Sequence, residues 1–149
     1  MAKVLKKITI HAPVNKVFDF MTNPQNLPEI WPSMVEVKNV KPGIHGGYNF
    51  DWVYKMGGIR FDGSSDTTEF IANKHYVTKS TKGIESKFTW DYETVKNETQ
   101  LSMETEYKIP IPLIGKIAEN IIAKQNEHEA ELLLENLKNK MEMEIAVPA

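Results

Sequence analysis

The chain has 149 residues, 41% hydrophobic and 26% charged, with a formal charge of −2 from 18 Lys+Arg against 20 Asp+Glu. That is the composition of one globular domain, expected to span residues 1–149; it excludes a disordered, collagen-like or rod-like chain and lacks the basic excess of a non-specific nucleic-acid binder. The absence of cysteine excludes disulfides, thiolate metal sites, iron–sulfur clusters and a cysteine nucleophile.

Lys3–His11 alternates weakly through Val4, Lys6, Ile8 and Ile10, which predicts a strand ending before Pro13. Pro13 suits a first helical turn, and Val14, Val17, Phe18 and Met21 follow at helical spacing. Asn23-Pro24 starts a second short helix, with Leu27, Ile30 and Trp31 on its apolar side and Pro32 beyond its end. From Met34 the period changes to two, and Met34–Val40 reads as a strand. Tyr48–Met56 is the clearest strand: Tyr48, Phe50, Trp52, Tyr54 and Met56 share one face. Gly57-Gly58 turns the chain into Ile59–Phe70, where Phe61, Gly63, Ser65, Thr67 and Glu69 share the inward phase. His75–Thr81, Ile84–Val95 and the stretch Leu101–Ile109 complete six strands after the short helices. Phe88, Trp90 and Tyr92 lie on one face of the first long one, and Met103 and Tyr107 on one face of the last.

Pro110 and Pro112 stop the last strand, and the period predicts one long helix from Leu113 to about Glu144. Ile114, Ala118, Ile121, Ile122, Leu132, Leu133 and Leu137 fall on its apolar face, with Gln125 and Glu129 in the middle of that face. Each strand has one apolar and one polar side, so one side of the sheet needs a cover. The final helix is the only element long enough, which is an α+β arrangement. No stretch of about 18 apolar residues is present, so no transmembrane segment is expected. The N-terminus has no apolar run of secretory-signal type, and a cytoplasmic location is expected.

The inward faces mix large rings with a row of small residues, Gly63, Ser65 and Thr67. Such faces either interdigitate or leave a void. Gln125 and Glu129 stand where a dry core would want leucine, since an unpaired buried polar group costs about 1–3 kcal/mol. Apolar walls with a few polar groups are what a small-molecule pocket needs.

The run HAPVNKVFDFMTNPQNLPEIWPSMVEV resembles the opening of the START-like, polyketide-cyclase-like superfamily, the helix-grip or Bet v 1-like fold. GGYNFDWVYKMGGIRFDGSSDTTEF, GIESKFTWDYETV and YKIPIPLIGKIAENIIAKQNEHEAELLLENLK are similar to its strand and final-helix segments, so the resemblance covers roughly residues 4–144. It implies a curved seven-stranded antiparallel sheet gripping the C-terminal helix, with two short helices after the first strand. It also implies an apolar cavity for lipid-, sterol- or polyketide-like molecules. It does not imply one reaction, because members include binders, transfer proteins, cyclases and dehydratases.

His11, His45, His75 and His128 are far apart without ligand spacing, and no metal site or cofactor is expected. Gly43, Gly46 and Gly47 mark a loop and open no helix, so they are no phosphate cradle. The expected ligand-binding residues are Trp31, Phe50, Trp52, Tyr54, Phe61, Phe88, Trp90, Tyr92, Met103, Tyr107, Ile121 and Gln125. An acid–base enzyme would draw on Glu69 or Glu129, with tyrosines to orient a carbonyl. A strand bulge would flip Glu69 outward. Three readings follow: a binder or carrier of a small hydrophobic molecule, a cyclase- or dehydratase-type enzyme using the same cavity, and a protein-interaction or co-chaperone module. The first carries the most weight, because no pair of groups demands catalysis. An interior without a cavity of about 300 Å³ would favour the third.

Overall fold

The computed structural model of the protein describes residues 1–115 and 118–146. Strand β1, Ala2–Ile10, leads into helix α1, Val14–Thr22, which buries Val17, Phe18 and Met21. Pro13 stands just before that helix, its carbonyl accepting from the amides of Lys16 and Val17. The Asn23 side chain accepts from the Gln25 amide at 3.2 Å and caps a 3-10 turn over Pro24–Asn26. Helix α2, Leu27–Ile30, follows. This is the restart that Asn-Pro predicts.

Six strands come next: β2 Met34–Pro42, β3 Tyr48–Met56, β4 Ile59–Ile71, β5 His75–Lys82, β6 Ser86–Val95 and β7 Glu98–Tyr107. With β1 they form one curved antiparallel sheet in the order β1-β7-β6-β5-β4-β3-β2. The short helices therefore link the two edges of the sheet. Helix α3, Ile111–Ile114, precedes helix α4, Glu119–Ala146, which lies against the concave face.

Two expectations are corrected here. The predicted helix from Leu113 is two helices, because Gly115 at φ 96° breaks the ladder after α3. The phase of α4 also differs. Its buried line is Ile122, Ala130, Leu133, Leu134, Leu137 and Met141, whereas Ile121 is 59% exposed and Gln125 faces solvent. Starting the wheel before the break let apolar Ile121 draw the centre of the face to the wrong side. The Ile114 side chain lies outside the described residues.

Candidate functional site

A hollow lies between the concave face and α4. Phe50, Trp52, Tyr54 and Met56 of β3, Phe88 and Trp90 of β6, and Met103, Thr105 and Tyr107 of β7 form its sheet wall. Leu27 and Trp31 close one side, and Asn126, Ala130 and Leu133 of α4 form the roof. Strand alternation places these side chains, because residues two apart share a face. Gly47 and Tyr48 border the hollow beside Thr22 and Pro24; Tyr48 is 40% exposed, so the cavity opens there.

The centre of a water-sized sphere can reach about 110 Å³ of this space. That is the class of an engineered apolar cavity of about 150 Å³ that takes benzene, and below the roughly 300 Å³ at which drug-sized pockets begin. Rings account for the difference. Tyr92, Tyr76, Trp90 and Phe88 form a row with successive centroids 6.0 Å apart. Trp31 continues it, edge-on to Phe88 at 5.3 Å and to Tyr54 at 5.5 Å. Trp52 lies over Gly63, its register partner on β4, and donates from Nε1 to Ser65 Oγ at 3.0 Å. Large rings and small neighbours therefore interdigitate in part and leave a void in part.

Eight of the expected ligand residues sit on the wall: Trp31, Phe50, Trp52, Tyr54, Phe88, Trp90, Met103 and Tyr107. Four do not. Tyr92 is buried behind Phe18, whose ring meets it at 5.1 Å. Phe61 is buried in the core off the wall. Ile121 and Gln125 point to solvent for the reason given above. Asn126 takes the place expected of Gln125 and donates to the Tyr107 hydroxyl at 3.1 Å.

Glu69 is displaced by a bulge. Thr67 pairs with Thr78 but Glu69 pairs with Val77, so Thr68 is the extra residue. The phase inverts, Phe70 turns to the cavity, and Glu69 joins the opposite face. There its carboxylate stands 3.3 Å from His75 Nε2, while Asp91 stands 2.5 Å from Nδ1. These carboxylates, Asp91 first, hold the imidazole above its ordinary range.

Glu129 is half-buried. Its Oε1 accepts from Ser33 Oγ, and its Oε2 is buried without a partner. Burial pushes the carboxyl above the usual carboxylate range, and the Ser33 backbone amide opposes this in part. Burial, then the nearby Glu129 charge, drives the Tyr54 phenol far up, so it stays a neutral donor. Glu129 stands behind the Tyr54–Trp31 corner rather than on the wall. The Trp31 Nε1–H is buried near the Tyr54 hydroxyl, yet no acceptor meets it at hydrogen-bonding geometry. Among the described residues no group of three His, Asp or Glu could hold a metal ion, and no helix is long and apolar enough to cross a membrane.

The family model described as polyketide cyclase / dehydrase and lipid transport matches residues 1–142. The chain belongs to that family. Solved structures show the shared helix-grip fold. TTHA0849 from Thermus thermophilus superposes at TM-score 0.74 with 19% identity over 97% of this chain and 99% of that one. The ZhuI aromatase/cyclase from Streptomyces sp. R1128 gives 0.78 with 11% identity over 97% and 96%. A START superfamily protein from Mycobacterium smegmatis gives 0.71 with 14% identity over 96% and 99%. Comparison with curated proteins found no match. Polyketide cyclase / dehydrase family membership goes with a fold that binds small hydrophobic molecules or cyclises polyketides; these identities carry the fold and no particular reaction.

Sequence reasoning missed Phe70, Tyr76, Thr105 and Asn126 as wall residues. Thr105 was legible from its alternation with Met103 and Tyr107. Phe70 was not, because a bulge leaves no mark in an alternating pattern.

Proposed function

We propose that the protein binds a small hydrophobic molecule, lipid-, sterol- or polyketide-like, in the cavity between the sheet and α4. One observation carries this reading: an almost wholly apolar hollow, walled by aromatic rings, remains unfilled in the interior. Such space forfeits dispersion contacts unless a guest supplies them. Apolar burial contributes about 25 cal/mol per Å² of guest surface, and offset or edge stacking on the rings adds about 0.5–1.5 kcal/mol. The test is titration with N-phenyl-1-naphthylamine, read by probe emission and tryptophan quenching. Wild type is expected to bind at micromolar affinity. Ala130→Phe, which fills the roof, is expected to abolish binding. No binding by wild type across several probe shapes refutes the reading.

The enzyme reading has one observation in its favour: a half-buried Glu129 behind Tyr54 and Ser33, whose carboxyl is held above the usual carboxylate range by burial. A cyclase or dehydratase would use that carboxyl through Tyr54. Turnover of a polyketide-like substrate that survives Glu129→Gln removes this role. The cavity is smaller than the 300 Å³ mark, as the interaction-module reading expects, but a ring-lined void open beside Tyr48 fits a guest better than a plain core does.

A further inference from the structure

Trp31 differs from the other aromatic residues of the cavity wall. Phe50, Trp52, Tyr54, Tyr76, Phe88 and Trp90 are borne on strands, where the sheet ladder fixes their backbones. Trp31 follows α2, a helix of one turn, and precedes Pro32. Its side chain is half-buried, as is that of Phe88 against it, so the wall is one ring thick here and reaches solvent. Its Nε1–H is buried without an acceptor, which burdens the resting position of the indole. Its neighbours are nevertheless pinned. Asn136 Nδ2 donates to the Ile30 carbonyl at 2.9 Å, Ser33 donates to Glu129, and Lys140 pairs with Glu29 at 3.2 Å. The backbone on both sides of Trp31 is thereby tied to α4, while the indole itself is held by two edge-on ring contacts.

The resting space is of the class that takes a single ring, and two rings are the most it is expected to hold with Trp31 in place. We propose that Trp31 is the residue that sets the size limit of the cavity: planar apolar guests of three or more fused rings bind only by displacing its indole toward solvent. This inference rests on the binding reading above and specifies which guests that site prefers. Displacement breaks the contacts with Tyr54 and Phe88. Removing the indole in advance spares a large guest that cost, an affinity gain of about 5- to 150-fold for two such contacts. A small guest, which leaves Trp31 in place, gains nothing.

The experiment compares wild type, Trp31→Ala and Trp31→Leu in titrations with 1-aminonaphthalene and 1-aminopyrene, which share one amine and differ in ring number. The expected result is a 5- to 150-fold tighter 1-aminopyrene complex in Trp31→Ala, with the 1-aminonaphthalene complex no tighter than in wild type and weakened by whatever contact it made with the indole. Trp31→Leu retains an apolar cover, so it keeps the question answerable if the alanine variant does not fold; its expected gain for 1-aminopyrene is smaller but of the same sign. Equal shifts for the two probes, or no gain for 1-aminopyrene, overturn the role of Trp31 while leaving the binding reading intact. Failure of both probes with all three proteins overturns the binding reading, and the inference falls with it.

Discussion

Gly63→Ala is the sharpest test of how the cavity is built. An ideal Cβ at Gly63 would stand 2.2 Å from Trp52 Cζ2, 2.4 Å from Cη2 and 2.5 Å from the Lys82 carbonyl oxygen. Carbon–carbon contacts are optimal at about 3.5–4.0 Å, so the indole must withdraw by about 1 Å or more. The Lys82 oxygen belongs to the backbone of β5, so β4 and β5 must part locally at that point while Trp52 is driven toward the cavity. Overpacking costs about 1–3 kcal/mol, and loss of the Trp52–Ser65 bond adds about 0.5–1.5 kcal/mol. The total, about 1.5–4.5 kcal/mol, corresponds to a Tm lowered by roughly 3–18 °C for a chain of this size. Scanning calorimetry reads the Tm, and N-phenyl-1-naphthylamine titration reads the cavity, where affinity is expected to fall because the indole intrudes. Ser65→Ala, which removes the hydrogen bond alone, is expected to cost about 1 kcal/mol. A Gly63→Ala protein with unchanged Tm and unchanged probe affinity would refute the packing of Trp52 across β4.

The remaining predictions concern the helix and the titrating groups. Leu137→Ala, at a fully buried site on α4, is expected to cost about 2–5 kcal/mol in urea denaturation, against about 0.5 kcal/mol or less for Ile121→Ala at the exposed site; equal costs would contradict the phase of the helix. His75 has a raised folded pKa, so its contribution to stability is complete below about pH 6.5 and is lost as pH rises through the folded value. His75→Gln is therefore expected to be less stable than wild type at pH 6, with the gap closing at alkaline pH; a gap independent of pH counts against the Asp91–His75–Glu69 arrangement. For Glu129 the slope has the same sign from the opposite cause, since burial disfavours its charged form. Its raised carboxyl binds a proton more tightly folded than unfolded, so its presence lowers stability as pH climbs from about 4.3 through the folded value. Glu129→Gln is expected to flatten that part of the stability profile, measured by urea denaturation between pH 4.5 and 8.

The strands were legible because half-buried antiparallel strands alternate, and β3 was read to both ends from its rings. The Asn23-Pro24 restart was legible because capping chemistry is local. Three features were hidden for a physical reason each. Thr68 bulges without any composition signal, so Glu69 and Phe70 exchanged faces. Gly115 divides α3 from α4 by a positive φ, which a periodicity wheel does not register. The partners of Glu129 are distant in sequence, with Ser33 lying 96 residues away, and pairing at that range is set by tertiary packing alone.

The extra residue in β4 has an evolutionary corollary. Losing one codon at Thr68 would remove the unpaired residue while leaving Glu69 opposite Val77 and Phe70 opposite Tyr76, so the phenyl group stays on the guest's side and the carboxylate stays outside. The strand can therefore shorten by that residue without changing what the chamber presents. A relative one residue shorter there would keep the same lining and take the same guests.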